Sequence, residues 1–273
     1  MAERLDTVLV NRGFAKSREK AKEQIKNGVV YIKNIMQTKP SASVEIDADI
    51  EIRGEVCKYV SRGGYKLEKA IEVFSICLKD ALCLDIGAST GGFTDCMLKN
   101  GARLVCAVDV GHDQLDPSLV DDKRVISLEG INFRYVTDSE FYEELVPGDL
   151  VTEKVGFASC DVSFISLKYI IPVAFNLLSD NGEMVCLIKP QFEAGKEHLN
   201  KKGVVKDKKI HIKVIREIID FAESVGFFIK GLSFSPIKGP EGNIEYLLYL
   251  TKEKVEHGVF VNAANTVSEA FNE

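Results

Sequence analysis

Apolar residues in the first 53 positions follow a pattern of two short helices and several short strands. Leu5, Val8 and Leu9 recur at helical spacing, and Gly13 then ends the first helix. A second helix is predicted over residues 18–27. Short extended segments are predicted at residues 29–32, 43–45 and 50–53, with a turn at 33–34. The pattern therefore predicts a compact α+β domain over residues 1–53.

Beyond residue 60 the pattern changes to apolar strands that alternate with amphipathic helices. Strands are predicted at 81–84, 104–108, 125–128, 156–160, 184–188, 227–233 and 243–250, and helices at 67–74, from 93 onward, at 167–178 and at 211–225. Such alternation is typical of an α/β fold with a doubly wound, largely parallel sheet, whose ligand site lies at the carboxyl ends of the strands. We expect this Rossmann-like domain over residues 61–251, after a linker at 54–60 and before a polar C-terminal tail at 252–273.

The charge of the chain is unevenly distributed. The net charge is −6, yet residues 1–39 carry nine basic and four acidic side chains. A basic module therefore precedes an acidic one.

Cysteine usage and hydropathy indicate the compartment. The seven cysteines lie mostly inside apolar runs and show no C-x-x-C spacing, which argues against a zinc site or a disulfide framework. We expect no metal and a reducing compartment. The N-terminus lacks a signal-peptide pattern, and no apolar run approaches the ~18 residues of a membrane span. These features predict a cytoplasmic protein with no membrane span.

A glycine-rich loop between a predicted strand and a predicted helix is the first candidate site. The apolar run 81–84 ends at Asp85, and Gly87, Gly91 and Gly92 follow with G-x-x-x-G-G spacing. Glycine lacks a Cβ atom, takes positive φ and lets backbone N–H groups approach a ligand. The spacing matches neither the dinucleotide fingerprint nor the phosphate loop, which favours a nucleotide-like ligand without a pyrophosphate.

A second carboxylate supports S-adenosylmethionine as that ligand. Asp109 ends the next apolar run about 20 residues later, where a doubly wound sheet places the acid that holds a ribose diol. An ordinary strand-to-helix turn that binds nothing is the alternative. The candidate cofactor-binding residues are Asp85, Gly87, Ala88, Ser89, Thr90, Gly91, Gly92, Phe93 and Asp109.

Four ionisable residues at element ends form a candidate catalytic set: Lys66, Asp161, Lys189 and Glu245. Methyl transfer to a ribose hydroxyl requires a base, because the hydroxyl must lose its proton as it attacks a sulfonium methyl group. A lysine with the ordinary pKa of about 10.4 is protonated, but desolvation and a neighbouring cation lower such a pKa. In this set Lys189 beside Lys66 is the candidate base, and the two carboxylates orient the amines. Taken singly, each residue is better explained as a member of a surface ion pair.

Basic residues cluster around the second predicted helix and form a candidate RNA-binding stripe. Three of them share one helix face at one-turn spacing, which suits a phosphate backbone. Glu19 and Glu23 are expected on another face, so that the stripe carries one sign of charge. A solvated face without a ligand is the alternative. The candidate RNA-binding residues are Arg4, Lys16, Arg18, Lys22 and Lys26.

Several short motifs of the first domain, Arg4-Leu5-Asp6, Ser17-Arg18, Gly28-Val29-Val30 and Lys39-Pro40-Ser41, resemble the S4 family of RNA-binding domains. The resemblance covers nearly all of residues 3–52 and implies an S4-type RNA-binding domain. That family usually turns its hairpin with Asn-Gly, whereas Ile35 follows Asn34 here. A type I′ turn needs positive φ at both central residues, which Ile resists, so we expect a longer hairpin loop.

Four blocks of the second domain, at residues 61–67, 85–94, 160–166 and 188–193, resemble those of FtsJ-type ribose 2′-O-methyltransferases. The catalytic tetrad of that family runs Lys, Asp, Lys, Glu, and the resemblance assigns it to Lys66, Asp161, Lys189 and Glu245. The two domains together resemble the TlyA family, known both as haemolysin A and as an rRNA cytidine 2′-O-methyltransferase. The resemblance implies S-adenosylmethionine-dependent methylation of a ribose 2′-hydroxyl, of cytidine, in ribosomal RNA within ribosomal subunits.

Two other functions remain as alternatives. A membrane-active haemolysin would need an insertable apolar or strongly amphipathic segment, which the sequence does not show. A non-catalytic RNA-binding assembly factor would not need the complete tetrad. The sequence leaves open which nucleotide and which subunit are modified, and it leaves the oligomeric state open with a monomer favoured.

Overall fold

The protein is described by a computed structural model over residues 2–26, 28–53, 57–146, 153–255, 259 and 261–273, without the side chains of Glu23, Lys26 and Pro240. The chain divides into two compact units, Met1–Lys58 and Tyr59–Glu273.

The smaller unit has two helices and two small sheets. Its elements are strand β1 (Ala2–Arg4), helices α1 (Leu5–Asn11) and α2 (Arg18–Lys26), and strands β2 (Val30–Ile32), β3 (Ile35–Met36), β4 (Ser43–Glu45) and β5 (Ile50–Ile52). β1 pairs with β4, and the other three strands form a sheet in the order β3-β2-β5. Leu5, Leu9 and Ile25 are fully buried in the core between the helices and the sheet. The apolar positions at helical spacing therefore face the core, as their periodicity predicts.

The hairpin of this unit is shorter than the sequence predicts. Ile32 pairs directly with Ile35, and the two loop residues Lys33 and Asn34 take φ values of 48° and 65°. Both central positions of a type I′ turn are therefore filled by Lys33 and Asn34, the two residues at which the sequence predicts the turn. The prediction of a longer loop is wrong because Ile35 already belongs to β3 and does not have to adopt positive φ.

The larger unit is built on a seven-stranded sheet with the order β11-β12-β10-β9-β6-β7-β8. The strands are β6 (Leu82–Ile86), β7 (Leu104–Asp109), β8 (Val125–Glu129), β9 (Val155–Cys160), β10 (Leu178–Ile188), β11 (Phe228–Phe234) and β12 (Tyr246–Thr251). β12 runs antiparallel to both of its neighbours, and the pairs from β10 to β8 are parallel. This order confirms the predicted doubly wound α/β sheet.

Helices cover both faces of this sheet. They are α3 (Gly64–Phe74), α4 (Gly92–Lys99), α5 (Pro117–Val120), α6 (Ile171–Leu177), α7 (Pro190–Glu193), α8 (Lys208–Val225) and α9 (Ala263–Asn272). Alternate strand residues separate two cores: Leu84 and Ile86 face one cluster, while Cys83 and Val105 face the other. Burial on both faces explains why these strands are continuous apolar runs.

Several boundaries differ from the prediction; β12, for example, begins at Tyr246 and not at residue 243. The helix predicted over 167–178 is a 3-10 turn (Leu167–Tyr169) followed by α6, and β10 already begins at Leu178. Tyr59, expected in the linker, is buried in the larger unit, and the carboxylate of Asp95 accepts a hydrogen bond from the Val60 amide at 2.9 Å. Linker residues 54–56 lie outside the described residues.

The polar tail contributes to the core. Helix α9 buries Ala263, Val267 and Ala270 in the cluster that also contains residues of α8. Its apolar residues recur at spacings of three and four, so one helix face is buried although the tail as a whole is polar. Within the described part of the chain, no helix combines the length and the apolar character needed to cross a bilayer.

Candidate active site

The four ionisable residues of the candidate catalytic set converge at one edge of the sheet. Lys66 lies in the first turn of α3, Asp161 directly follows β9, and Lys189 directly follows β10. Glu245 directly precedes β12, and because that strand is antiparallel its start lies at the carboxyl ends of its parallel neighbours. The topology therefore brings together residues that are up to 179 positions apart.

Short ion pairs connect the four side chains. The Lys66 ammonium donates to Glu245 Oε2 at 2.7 Å and to Asp161 Oδ2 at 3.0 Å. Lys189 Nζ lies 2.6 Å from Asp161 Oδ1 and donates to Ser163 Oγ at 3.1 Å. Asp161 thus bridges the two lysines, while Glu245 contacts Lys66.

Burial and mutual charge shift the protonation of this cluster. Burial alone would lower the pKa of Lys66, but the carboxylates of Asp161 and Glu245 raise it above its ordinary value. Burial would likewise raise the pKa of Asp161, but the ammonium groups of Lys66 and Lys189 hold it below its ordinary value. Lys66 is therefore an ammonium and Asp161 a carboxylate at neutral pH.

Close backbone packing next to the cluster requires glycine. A Cβ atom at Gly239 would lie 2.5 Å from Glu245 Oε1. The sequence alone does not show why residue 239 is a glycine. The structure shows that a side chain at this position would collide with the Glu245 carboxylate.

The glycine loop between β6 and α4 adopts the conformation that its sequence predicts at two of three glycines. Gly87 and Gly91 have φ values of 82° and 91°. Gly92, for which positive φ is also predicted, instead begins α4, and a Cβ atom there would lie 2.4 Å from Ser61 Oγ. Its small size is needed for close packing, whereas the other two glycines supply the turn.

A cavity of about 270 Å³ lies between this loop and the ionisable cluster. Six of the nine candidate cofactor residues line it together with all four ionisable residues. The lining residues from the loop are Gly87, Ala88, Ser89, Thr90, Gly92 and Phe93. A Cβ atom at residue 87 would lie 3.1 Å from the Asp161 carbonyl oxygen, so a side chain there would narrow the space between loop and cluster.

Asp85 lies behind the loop and not in the cavity lining. The sequence predicts that β6 ends before this acid, but β6 continues to Ile86 and the Asp85 side chain is fully buried. Its carboxylate accepts hydrogen bonds from Thr94 Oγ1 at 2.7 Å and Ser159 Oγ at 3.1 Å. Burial raises the pKa of Asp85 to about 6, although these hydrogen bonds oppose the shift.

Asp109 ends β7 as predicted and fixes two backbone groups. Its Oδ2 accepts from the Ser89 amide at 2.7 Å, and its Oδ1 accepts from the Gly111 amide at 2.8 Å. The carboxylate therefore connects the glycine loop with the next strand, at the position where an acid can receive ribose hydroxyls.

An exposed aromatic side chain next to the cluster is absent from the sequence prediction. Phe164 has a φ of 64° and a side chain that is 90% exposed, and its ring centroid lies 4.9 Å from that of Phe192. The Phe192 ring lies 5.8 Å from Lys189 Nζ. Positive φ in a bulky residue is strained, and such strain is concentrated at functional sites.

Hydrogen bonds to Glu193 fix the loop that carries Phe164. The carboxylate of Glu193 accepts from Ser166 Oγ at 2.6 Å and from the Leu167 amide at 2.8 Å. These bonds fix the end of the loop while Phe164 remains exposed.

The candidate RNA-binding residues of the smaller unit are more strongly paired than predicted. Lys22 lies 3.2 Å from Glu19 one turn away, so the helix face does not carry a single sign of charge. Residues three positions apart are neighbours on a helix surface, so the two side chains can form an ion pair. The side chain of Lys26 lies outside the described residues, and Lys16 is exposed.

Arg4 and Arg18 share one buried carboxylate. Asp6 has no exposed side-chain surface and lies 2.8 Å from Arg4 Nη2 and 3.2 Å from Arg18 Nη2. Both guanidinium groups hold the pKa of Asp6 well below its ordinary range, with Arg4 as the larger cause. Each arginine is still about half exposed, so Asp6 orients two guanidinium groups whose other N–H donors remain accessible.

The chain matches two protein families. Residues 59–252 match the FtsJ-like methyltransferases, and residues 3–50 match the S4 domain. The first match covers more than half of the chain and contains the whole ionisable cluster.

Individual relatives agree with this division. The chain is 48% identical over 248 residues to the Bacillus subtilis protein YqxC, a candidate rRNA methyltransferase, covering 91% of this chain and 85% of that protein. It is 39% identical over 248 residues to the 16S/23S rRNA (cytidine-2′-O)-methyltransferase TlyA of Mycobacterium tuberculosis, covering 90% and 89%. A solved structure of a candidate haemolysin from Streptococcus thermophilus is 42% identical with a TM-score of 0.74, covering 99% and 96%.

Proposed function

We propose that this chain catalyses the reaction of its family. The chain belongs to the FtsJ-like methyltransferases and carries an S4 domain at its N-terminus. It transfers a methyl group from S-adenosylmethionine to a ribose 2′-hydroxyl of ribosomal RNA. The name of the M. tuberculosis relative supports cytidine as the modified nucleoside and 16S or 23S ribosomal RNA as the substrate. In our proposal this RNA is methylated within ribosomal subunits. A ribosomal substrate would place the enzyme in the cytoplasm.

The chain must remove a proton from the ribose hydroxyl. S-adenosylmethionine, held by the glycine loop and Asp109, supplies an electrophilic methyl group on a sulfonium. The 2′-hydroxyl is a weak nucleophile until its proton leaves, so a base within hydrogen-bond reach is needed. The four-residue cluster borders the cavity next to the loop and can supply that base.

Lys189 is the residue that accepts this proton in our proposal. Lys66 is unsuitable because two carboxylates at 2.7 and 3.0 Å hold it as an ammonium. Lys189 shares Asp161 with that permanent cation and has Ser163 as its other polar contact. In its neutral form, Lys189 has a free electron pair that can accept the hydroxyl proton, while Asp161 keeps its Nζ atom in position.

Phe164 is proposed to hold the base of the target nucleotide. A ribose inside a folded RNA becomes accessible when its nucleotide leaves the stack, and an exposed aromatic ring can then stack on the base. The ring lies beside Phe192, next to Lys189. Stacking there would bring the attached ribose towards the cluster.

The smaller unit is proposed to bind the RNA backbone. Arg4 and Arg18, oriented by Asp6, and the exposed Lys16 present cations to phosphate groups. Lys22 and Lys26 complete the proposed set, with Lys22 exchanging Glu19 for a phosphate on binding.

The convergence of Lys66, Asp161, Lys189 and Glu245 is the observation that carries this proposal. It is tested by incubating the purified chain with ribosomal subunits and S-adenosylmethionine labelled in the methyl group. Lys189→Ala should reduce turnover by a factor of about 100 to 10,000 while cofactor and RNA affinities stay near those of the parent. Lys168→Ala, which removes an exposed lysine on the neighbouring 3-10 turn, is the matched control and should remain active.

Product analysis identifies the modified atom. A methylated 2′-oxygen blocks alkaline cleavage at that nucleotide, so resistance is the expected result. Cleavage with the methyl group on a base would show that the ribose is not the target. Dye release from liposomes by the chain alone, without any methyl transfer to subunits, would favour the haemolysin alternative.

A further inference from the structure

We propose that the catalytic unit has its own RNA-contacting surface, formed by exposed cations of α8 and of the loop that precedes it. We call it the α8 basic surface and define it by Lys202, Lys206, Lys208, Lys209, Lys213 and Arg216. All six side chains are exposed, and residues 202–216 contain one acid, Asp207. That acid caps α8 by accepting from the Lys209 amide at 2.8 Å. The inference rests on the proposed RNA substrate and adds a second place where the chain holds it.

The charge of this surface is poorly neutralised by the protein. Lys213 lies 3.7 Å from Glu217 and Lys202 lies 3.9 Å from Glu241. Both distances are longer than that of a tight pair such as Lys230 with Glu183, at 2.6 Å. Within the described ranges, the other four cations of the surface form no ion pair with an acid. An accumulation of unpaired like charges costs stability, so a polyanion that neutralises it is the natural partner.

The surface is attached to the catalytic edge of the sheet. His211, on the buried side of α8, lies with Nδ1 2.7 Å from Tyr246 Oη and Nε2 2.9 Å from the Val205 carbonyl oxygen. Tyr246 directly follows Glu245 of the catalytic cluster. The side chain of Asn243 also donates to the Gly203 carbonyl at 3.4 Å. Both contacts hold the first turns of α8 and the preceding loop beside the site where the methyl group is transferred.

The shape and composition of α8 favour RNA over a lipid surface. A groove of about 370 Å³ runs along the exposed face, lined by Lys209, Ile212, Lys213, Arg216 and Glu217. A membrane-surface helix needs an exposed apolar face, but Val214, Ile215 and Ile218 are buried against the sheet. Cations at positions i, i+4 and i+7 of one helix face can contact successive phosphates of a backbone that leads to the cavity.

The test compares two double variants of the full chain with equal changes of charge. Lys209→Gln with Lys213→Gln removes two cations from the α8 basic surface. Lys79→Gln with Lys123→Gln removes two exposed cations that precede β6 and β8, at the opposite edge of the sheet. Binding of a labelled RNA duplex of about 16 base pairs is measured across a salt series, together with cofactor affinity and methyl transfer to ribosomal subunits.

For each removed phosphate contact, the slope of log RNA affinity against log salt concentration should become about 0.9 shallower in the first variant. With two contacts removed, the factor by which RNA affinity falls between 50 and 200 mM salt should be about tenfold smaller than in the parent. Methyl transfer to subunits should fall, cofactor affinity should match the parent, and Lys209→Arg with Lys213→Arg should restore RNA binding. Equal slopes for the first variant and the control would overturn the α8 basic surface. So would a loss of binding to phosphatidylserine vesicles with unchanged RNA binding, which would assign the surface to lipid. Methylation of a base instead of a ribose would contradict the proposed function and leave this comparison intact.

Discussion

The ammonium group of Lys66 lies 2.7 Å from the carboxylate of Glu245, and both side chains are buried, with 11% and 2% of their surfaces exposed. A buried ion pair is costly to break on one side, because the remaining charge has no water to solvate it. Lys66 retains Asp161 if Glu245 is lost, but Asp161 is shared with Lys189. The pair therefore keeps Lys66 charged, and in the proposed mechanism Lys189 is the lysine that acts on the substrate.

Glu245→Gln should lower the free energy of unfolding by about 3 kcal/mol, because it leaves a buried ammonium with one shared carboxylate. Replacing the pair, with Lys66→Met and Glu245→Leu together, should recover most of this loss but leave the enzyme inactive. Chemical denaturation of the three proteins measures the first effect and methyl transfer the second. A double variant that is no more stable than Glu245→Gln would contradict the coupling of the two residues. The ion pairs of the four-residue cluster stabilise the fold at neutral pH. This stabilisation is lost as the pH falls through the lowered pKa of Asp161, and it is also lost as the pH rises through the raised pKa of Lys66.

Phe164→Ala should weaken productive binding of ribosomal subunits by about 1–3 kcal/mol, the range found for a base stacked on an aromatic ring. Cofactor affinity should not change, and Phe164→Trp should retain most of the activity. Tyr169→Ala removes a second exposed aromatic ring nearby and is the matched control. Steady-state kinetics with subunits as the varied substrate provides the measurement. If both alanine variants behave alike, Phe164 has no specific contact with the nucleotide.

Asp109→Ala should weaken S-adenosylmethionine binding by about 1–3 kcal/mol, through loss of charge-assisted hydrogen bonds. Part of this loss comes from the loop, since the Ser89 amide loses its acceptor. Titration calorimetry measures the affinity, and Asp109→Asn, which keeps one acceptor oxygen, should lie between the parent and the alanine variant. Unchanged affinity in Asp109→Ala would show that the cofactor is held elsewhere.

Asp85 should make the fold less stable as the pH rises from 4 to 7. Burial raises the pKa of Asp85 to about 6 in the folded chain. In the unfolded chain the carboxyl has its ordinary pKa near 4 and releases its proton first. Over this interval the folded state therefore binds more protons, and the parent should lose about 3 kcal/mol relative to Asp85→Asn. Denaturation curves of both proteins at several pH values provide the test, and a constant difference between them would contradict the raised pKa.

Much of the larger unit was predictable because its signals are local. Each parallel strand is buried on both faces and therefore appears as a continuous apolar run, and the alternation of such runs with helices restricts the topology to a doubly wound sheet. The positive φ of Gly87 and Gly91 follows in the same way, since a tight turn from strand to helix needs residues without Cβ. The length of a hairpin loop is harder to predict: the turn at Lys33 and Asn34 lies where the sequence places it, but its two-residue length depends on the strand register, which a single sequence does not specify.

The sequence by itself determined that Asp161 and Lys189 follow strands at one edge of a sheet, and the family resemblance added Lys66 and Glu245. Glu245 was expected inside the strand predicted at 243–250, whereas β12 begins one residue after it. Only the tertiary structure decided how they pair: Asp161 lies between two lysines, Glu245 binds one of them, and Asp85 is withdrawn from the cavity. The physical reason is the range of the interactions. Backbone geometry is set by residues a few positions apart, whereas the charge state and exposure of a side chain depend on distant segments that the fold places within 3–4 Å of it.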